Sequence, residues 1–349
     1  MNFASDNTSG VHPAVMAALA AANEGHVPSY GSDALTRAAE DMVRKVLDAP
    51  DAAVMFTATG TAANALSLAG MADPWQRIFC HNEAHVEMSE CGAPEMFTGG
   101  AKLTLIAADG GVLDADALDH AASYWAGEGL GGGKPGAISI SNTTEAGRVW
   151  SPDQVAEIGA VARQHGLSLH MDGARFANAV AASGASPAEL THLAGVDLLS
   201  FGGTKNGAMG VEAVVAFDPA LAERLAYMRK RSGHLLSKHR FLSAQFYALL
   251  DGGLWLQLGA HANRMAARLA EGLAGVEGAS LVRPAESNQL FVRLSPDAHD
   301  RARGAGAVYR GWPSLSDDDA DAEGFVVRLV CSWNTTEAEV QELIAALKG

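Results

Sequence analysis

Short apolar runs alternate with helical patterns through most of the chain, and this alternation limits the fold more than any other feature of the sequence. Residues 52–56 form an apolar run that stops at Thr57-Ala58-Thr59-Gly60 and is followed by a small-residue helix over 61–71, a strand, turn, helix unit. Residues 78–80, 102–106 and 137–141 read as further strands, the last ending at Asn142. Ser151, Pro152 and Gln154 supply an N-cap, a first helical proline and a capping-box partner, so a helix runs from there to about His165 and closes at Gly166. A buried strand follows over 167–171, another over 196–201, and 213–217 is a candidate strand beside it. The class is α/β, with a parallel or mixed sheet covered by helices on both faces.

After Asp251-Gly252-Gly253 the pattern changes to a long helix over 254–273, strands over 289–294 and 325–330, and a last helix that opens with Thr336 and Glu339 in capping-box spacing. A chain of 349 residues is long for a single core. The expected division is a large domain over 1–250 and a smaller α+β domain over 251–349, with the acidic stretch 317–323 as a solvated loop. A net charge of −15 gives no attraction to phosphate backbones or anionic lipid, so no nucleic acid or membrane partner is expected. Three cysteines without metal-like spacing, and no leader or bilayer-spanning run, point to a reducing, cytoplasmic setting.

In open α/β sheets, ligands collect beyond the carboxyl ends of the strands. Four such ends carry suggestive residues: Thr59-Gly60-Thr61, Asn142, Asp172 and Lys205. At the first, free N–H groups and the helix dipole favour a phosphate, although an ordinary tight turn reads the same way. Asp172 is followed by Gly173-Ala174-Arg175, which is either a buried ion pair or a carboxylate that keeps a cofactor ring nitrogen protonated. Lys205 lies in the glycine-rich turn Gly202-Gly203-Thr204-Lys205-Asn206-Gly207, where partial desolvation would depress its pKa as a Schiff-base amine requires; a solvated loop lysine is the plain alternative.

The order phosphate turn, aspartate, lysine resembles that of the fold-type-I pyridoxal-phosphate enzymes, and the finer motifs resemble the L-threonine aldolases of the β-eliminating lyase family. These motifs are Ser5-Asp6-Asn7-Thr8-Ser9-Gly10, Tyr30-Gly31-Ser32-Asp33, Thr59-Gly60-Thr61-Ala62-Ala63-Asn64, the segment 81–90, Asn142-Thr143-Thr144-Glu145-Ala146-Gly147, His170-Met171-Asp172-Gly173-Ala174-Arg175 and Val327-Arg328-Leu329-Val330. The resemblance spans nearly the whole chain. It implies a mostly parallel seven-stranded sheet in the large domain, pyridoxal 5'-phosphate as cofactor, and cleavage of L-β-hydroxy-α-amino acids to glycine and an aldehyde. Carried over by position, Gly60 and Thr61 cradle the phosphate, His85 stacks on the ring and is a candidate base, and Asp172 binds the ring nitrogen. Arg175 lies near the 3-oxygen, Lys205 forms the Schiff base, Ser5 and Arg328 hold the substrate carboxylate, and the segment from Asn142 faces the β-hydroxyl. Tyr30 and the stretch Lys238-His239-Arg240 fall where the family completes its site from a neighbouring subunit, with Lys238 or Arg240 on the phosphate, which implies a homo-oligomer, as a tetramer of two dimers. β-Elimination, transamination and a non-catalytic relative are the alternative readings.

Two further patterns are set aside. His81 and His85 with Glu83 between them suggest zinc, but the metalloprotease pattern needs glutamate directly after the first histidine, and no third ligand stands out. Gly131-Gly132-Gly133-Lys134-Pro135 lacks the first glycine and the final Ser or Thr of a P-loop and reads as a flexible surface loop.

Overall fold

The computed structural model describes residues 1–312 and 324–349; the acidic stretch 317–323 lies outside the described residues. The seven apolar runs of the first 217 residues become β1 (Ala53–Thr57), β2 (Gln76–His81), β3 (Lys102–Ile106), β4 (Lys134–Ser141), β5 (Ser168–Gly173), β6 (Leu198–Gly202) and β7 (Glu212–Ala216). They form one sheet in the order β1-β7-β6-β5-β4-β2-β3. Strands β2 to β6 pair in parallel, and β7 runs against both β6 and β1. The expected seven-stranded, mostly parallel sheet is therefore borne out, and the carboxyl ends of β1, β2, β4, β5 and β6 meet along one edge.

Every residue of β6 and β7 is buried, as central strands covered on both faces must be. The helix Gly60–Met71 is buried from Ala62 to Gly70, which its run of alanine, serine and glycine permits by keeping the side chains small. Phe56, Phe79, Phe176, Phe201, Phe246 and Trp255 anchor the main core around the sheet. β4 starts earlier than the sequence reading placed it, because Lys134 and Pro135 already pair with Gln76 and Arg77. Proline is tolerated there at the strand's beginning, beside a register shift at Arg77/Ile78, so the surface-loop reading of 131–135 fails for its last two residues.

A second sheet contains β8 (Ala279–Leu281), β9 (Gln289–Leu294), β10 (Arg310–Gly311) and β11 (Phe325–Val330), all antiparallel, in the order β10-β11-β9-β8. Its core holds Leu290, Val292, Leu294, Leu329 and Leu343. Phe3 is buried in the same core, donating its N–H to Val308 and accepting from Val330 at 2.8 Å each. The first residues are thus tied to the second sheet while Ser5 and Asp6 reach the carboxyl edge of the first. The helix Leu254–Leu273 joins the two cores, with Trp255 and Leu258 in one and Met265 and Leu269 in the other. Among the described residues no helix is long and apolar enough to cross a membrane.

Candidate active site

Where the carboxyl edge meets the second sheet, a cavity of about 380 Å³ is lined by Ser5, His85, Asp172, Arg175, Lys205 and Arg328. These six come from five separate stretches of the sequence, Asp172 and Arg175 sharing one. Asp172, near the end of β5, accepts from Ala174 N–H at 2.9 Å and from the Asn64 amide at 2.8 Å. Burial raises its pKa, but His85, Lys205 and His170 nearby, with the Ala174 N–H, outweigh it, so the carboxyl is held below its usual range. His170 itself is neutral and structural, wedged between Ser139 and Ser200 and pushed down to about 4 by burial.

Lys205 follows β6 on a one-turn 3-10 segment, Thr204–Asn206. The two glycines before it are required by close packing: a Cβ on Gly202 would stand 2.4 Å from the Ala174 carbonyl oxygen, and one on Gly203 2.7 Å from that of Val211. Gly203 N–H donates to the buried Glu212 carboxylate at 2.8 Å, Thr204 Oγ1 accepts from Val211, and Asn206 donates to Trp255, so the turn is held on three sides. Burial and Arg175 push the lysine pKa down against Asp6, Asp172 and Glu212, and the net shift is downward. Burial also drives Glu212 up to about 7 despite its bonds to Thr204 and Gly203 and the proximity of Lys205.

Arg175 forms a two-pronged ion pair with Asp6, Nε to Oδ2 at 2.7 Å and Nη2 to Oδ1 at 2.9 Å. Asn288 adds a third bond to Asp6 at 3.1 Å. Burial raises the Asp6 pKa, yet Arg175, Lys205 and these bonds bring it below its usual range. His85 Nδ1 lies 2.7 Å from Glu90 Oε1, and the same Asn64 amide that serves Asp172 also donates to that oxygen at 2.8 Å. The Glu90 bond raises the His85 pKa, burial opposes it, and Asp172 adds to the rise. His85 N–H meanwhile donates to Glu145, whose other contact is the Ser141 hydroxyl, and burial raises that carboxyl. His85, Glu90 and Asp172 are close enough together to hold an ion, but their facing atoms are already bonded to one another or to Asn64.

Other sequence candidates lie outside the cavity lining. Gly60 and Thr61 open their helix with N–H groups that have no acceptor among the described residues, and open space in front of Gly60. Asn142 is fully buried behind the cavity, its Oδ1 accepting from Trp150 N–H at 3.3 Å; its neighbours Ser141, Thr143 and Glu145 form the wall instead. Tyr30, with φ of 57°, is about half exposed under Lys230, and Lys238 is exposed. Arg240 donates to the carbonyls of Glu24 and Gly25. His81, set aside as a zinc ligand, holds a turn through Ala108 and Glu83.

Sequence reasoning missed several groups here. Asp6, Asn64, Glu90 and Glu145 stand inside the motifs already singled out, so their types were visible but their partners were not. Glu212 opens an apolar strand, where only its charge could have drawn notice. Arg310 and Trp312 also line the cavity, and a two-residue strand gives no periodicity from which to find them.

Comparison with known proteins gives a consistent result. The profile of the beta-eliminating lyase family matches residues 2–296. A low specificity L-threonine aldolase from Pseudomonas sp. (strain NCIMB 10558) is 42% identical over 99% of this chain and 97% of its own length. One of the same description from Pseudomonas aeruginosa is 42% identical over 98% of this chain and 95% of its own. Among solved structures, a Leishmania major threonine aldolase superposes with a TM-score of 0.91 at 30% identity, covering 99% of this chain and 98% of that one. This chain belongs to the beta-eliminating lyase family and has the fold of the type-I pyridoxal-phosphate enzymes.

Proposed function

We propose that the chain is a pyridoxal 5'-phosphate enzyme that cleaves L-β-hydroxy-α-amino acids, among them L-threonine, L-allo-threonine and L-phenylserine, to glycine and an aldehyde. The observation that carries this reading is the cavity in which Lys205, Asp172, His85 and Arg328 face one another, in a chain 42% identical end to end to enzymes named for that reaction. The donor set fits the cofactor: an amine of lowered pKa, a buried carboxylate beside it, and a helix N-terminus with free N–H groups.

Pyridoxal phosphate, when bound, supplies an aldehyde for amines and a cationic ring that draws electrons from one bond at Cα. Lys205 is the amine that holds it, and its lowered pKa keeps a larger share in the neutral, nucleophilic form. Asp172, ionised and fixed by Asn64 and Ala174, keeps the ring nitrogen protonated. Gly60 and Thr61 would receive the phosphate, and Arg175, steadied by Asp6, would serve the ring's 3-oxygen. Arg328 and Ser5 take the substrate carboxylate, which sets the Cα–Cβ bond for cleavage. His85 takes the β-hydroxyl proton at Nε2, the nitrogen that its Glu90 bond leaves free. Asn142 supports this wall from behind, through the positions of Ser141, Thr143 and Glu145.

Tyr30, Lys238 and Arg240 serve a neighbouring subunit's site in a tetramer of two dimers, consistent with their place on the outer surface of one chain. The division into domains over 1–250 and 251–349 and a cytoplasmic setting belong to the same reading, with Cys80, Cys91 and Cys331 all free thiols. Borohydride reduction of the purified protein followed by peptide mapping tests its foundation. The pyridoxyl group should appear on Lys205; finding it on Lys134, Lys230 or Lys238 would overturn the assignment.

A further inference from the structure

Two arginines of the cavity wall, Arg310 and Arg328, stand without a carboxylate partner of their own among the described residues. Arg175 is neutralised by Asp6, but neither Arg328 nor Arg310 has a carboxylate within ion-pair distance among the described residues. The two arginines are directly opposite across the β10 and β11 ladder, and both border the cavity. Opposite residues in such a pair bring their Cβ atoms to about 4.5–5.5 Å, and like charges so placed destabilise the sheet. Arg328 registers the cost: burial first, then Arg175 and Arg310, push its guanidinium down to about 10 against the pull of Asp6. Its buried Nε has no partner, and its Nη2 makes only a 3.5 Å contact with the Ala4 carbonyl. Trp312 lies against it, with the guanidinium carbon 5.7 Å from the ring centre. Arg310 is exposed and Arg328 partly buried, so the pair runs from the mouth of the cavity inward. Among the described residues no carboxylate answers this arrangement, whereas an anion with two carboxylates would satisfy both forks.

We propose that Arg310 is a second carboxylate-binding residue, and that the substrates of this site include β-hydroxy-α-amino acids whose β-substituent is itself a carboxylate, of which 3-hydroxyaspartate is the simplest. The proposal rests on the reading of Arg328 as the holder of the α-carboxylate. Cleavage balances without any further reactant. The Cα–Cβ bond breaks, its electron pair stays with Cα and is captured by a proton to give glycine, and the β-hydroxyl loses its proton as its carbon becomes the aldehyde of glyoxylate.

The test is kcat/KM for L-3-hydroxyaspartate and for L-phenylserine, measured on the holoenzyme of the native protein, Arg310→Met and Arg310→Lys. Loss of one charge-assisted pair should cut the Arg310→Met value for hydroxyaspartate by about tenfold or more, with less than about a threefold change for phenylserine. Arg310→Lys should recover part of the loss, since it keeps the charge but not the fork. Failure of the native protein to cleave hydroxyaspartate while it cleaves phenylserine would overturn the proposal and leave the parent reading standing. An equal loss for both substrates in Arg310→Met would also overturn it, because the arginine would then be serving the shared α-carboxylate. Cleavage of neither substrate by the native protein would remove the parent reading and this one together.

Discussion

Glu90 shows how one buried side chain can govern the chemistry of another. It is almost fully buried, takes His85 Nδ1 at 2.7 Å, and is tied through Asn64 to the Asp172 carboxylate. A histidine so held has a fixed orientation and a raised pKa. If neutral His85 is the base, activity falls as pH drops through that pKa, which gives the acid limb of the kcat profile. Glu90→Gln replaces the carboxylate hydrogen bond that raises the pKa with a neutral one, so the limb should move to lower pH, while the plateau falls because the ring is held less well. A limb that stays in place in this variant would show that the His85 proton is not under Glu90's control. The presence of His85 in the site was legible in the sequence, because it stands in a segment with a recognisable pattern. Its partner was not, since a hydrogen bond from the first residue of a four-residue helix to a residue beyond its end follows no periodicity that composition displays.

At the scale of elements, the apolar runs located the strands well, because strands buried on both faces must be continuously apolar. Their carboxyl ends moved by at most two residues: β5 extends through Gly173 and β6 through Gly202, so Asp172 lies in its strand instead of after it. Glycine makes this possible, and the contrast between two glycines gives a measurable consequence. Gly202→Ala would drive a methyl group against the Ala174 carbonyl, and overpacking of this kind costs about 1–3 kcal/mol. Gly60→Ala meets nothing within 4 Å, so its fold should be nearly as stable as the native one. Urea unfolding of the two variants checks the difference, and equal midpoints would contradict the packing described at the end of β6. The pairing of β10 with β11 was hidden for the opposite reason, as two residues are too few to show alternation.

For the molecule as a whole, the site exists because the chain's first residues join the second sheet while the residues just after them reach the first. Phe3 in the second core and Asp6 against Arg175 are only three positions apart, and the ladder bonds of Phe3 fix where Asp6 falls. No local pattern in the opening segment announces this, because its partners lie some three hundred positions away at Val308 and Val330. The alternation of strands and helices was enough to place the carboxyl edge, and with it Asp172 and Lys205; the junction with the second sheet rests on long-range pairs that no local pattern displays. In the proposed reaction this junction orients the Cα–Cβ bond of a β-hydroxy amino acid and no other bond at Cα. The most direct test is to incubate the holoenzyme with L-threonine and L-phenylserine and to measure glycine, aldehyde and ammonia in the same samples. Equal amounts of glycine and the matching aldehyde, acetaldehyde or benzaldehyde, with no ammonia and no keto acid, are the expected result. Ammonia without aldehyde, or cleavage confined to D-configured substrates, would contradict it.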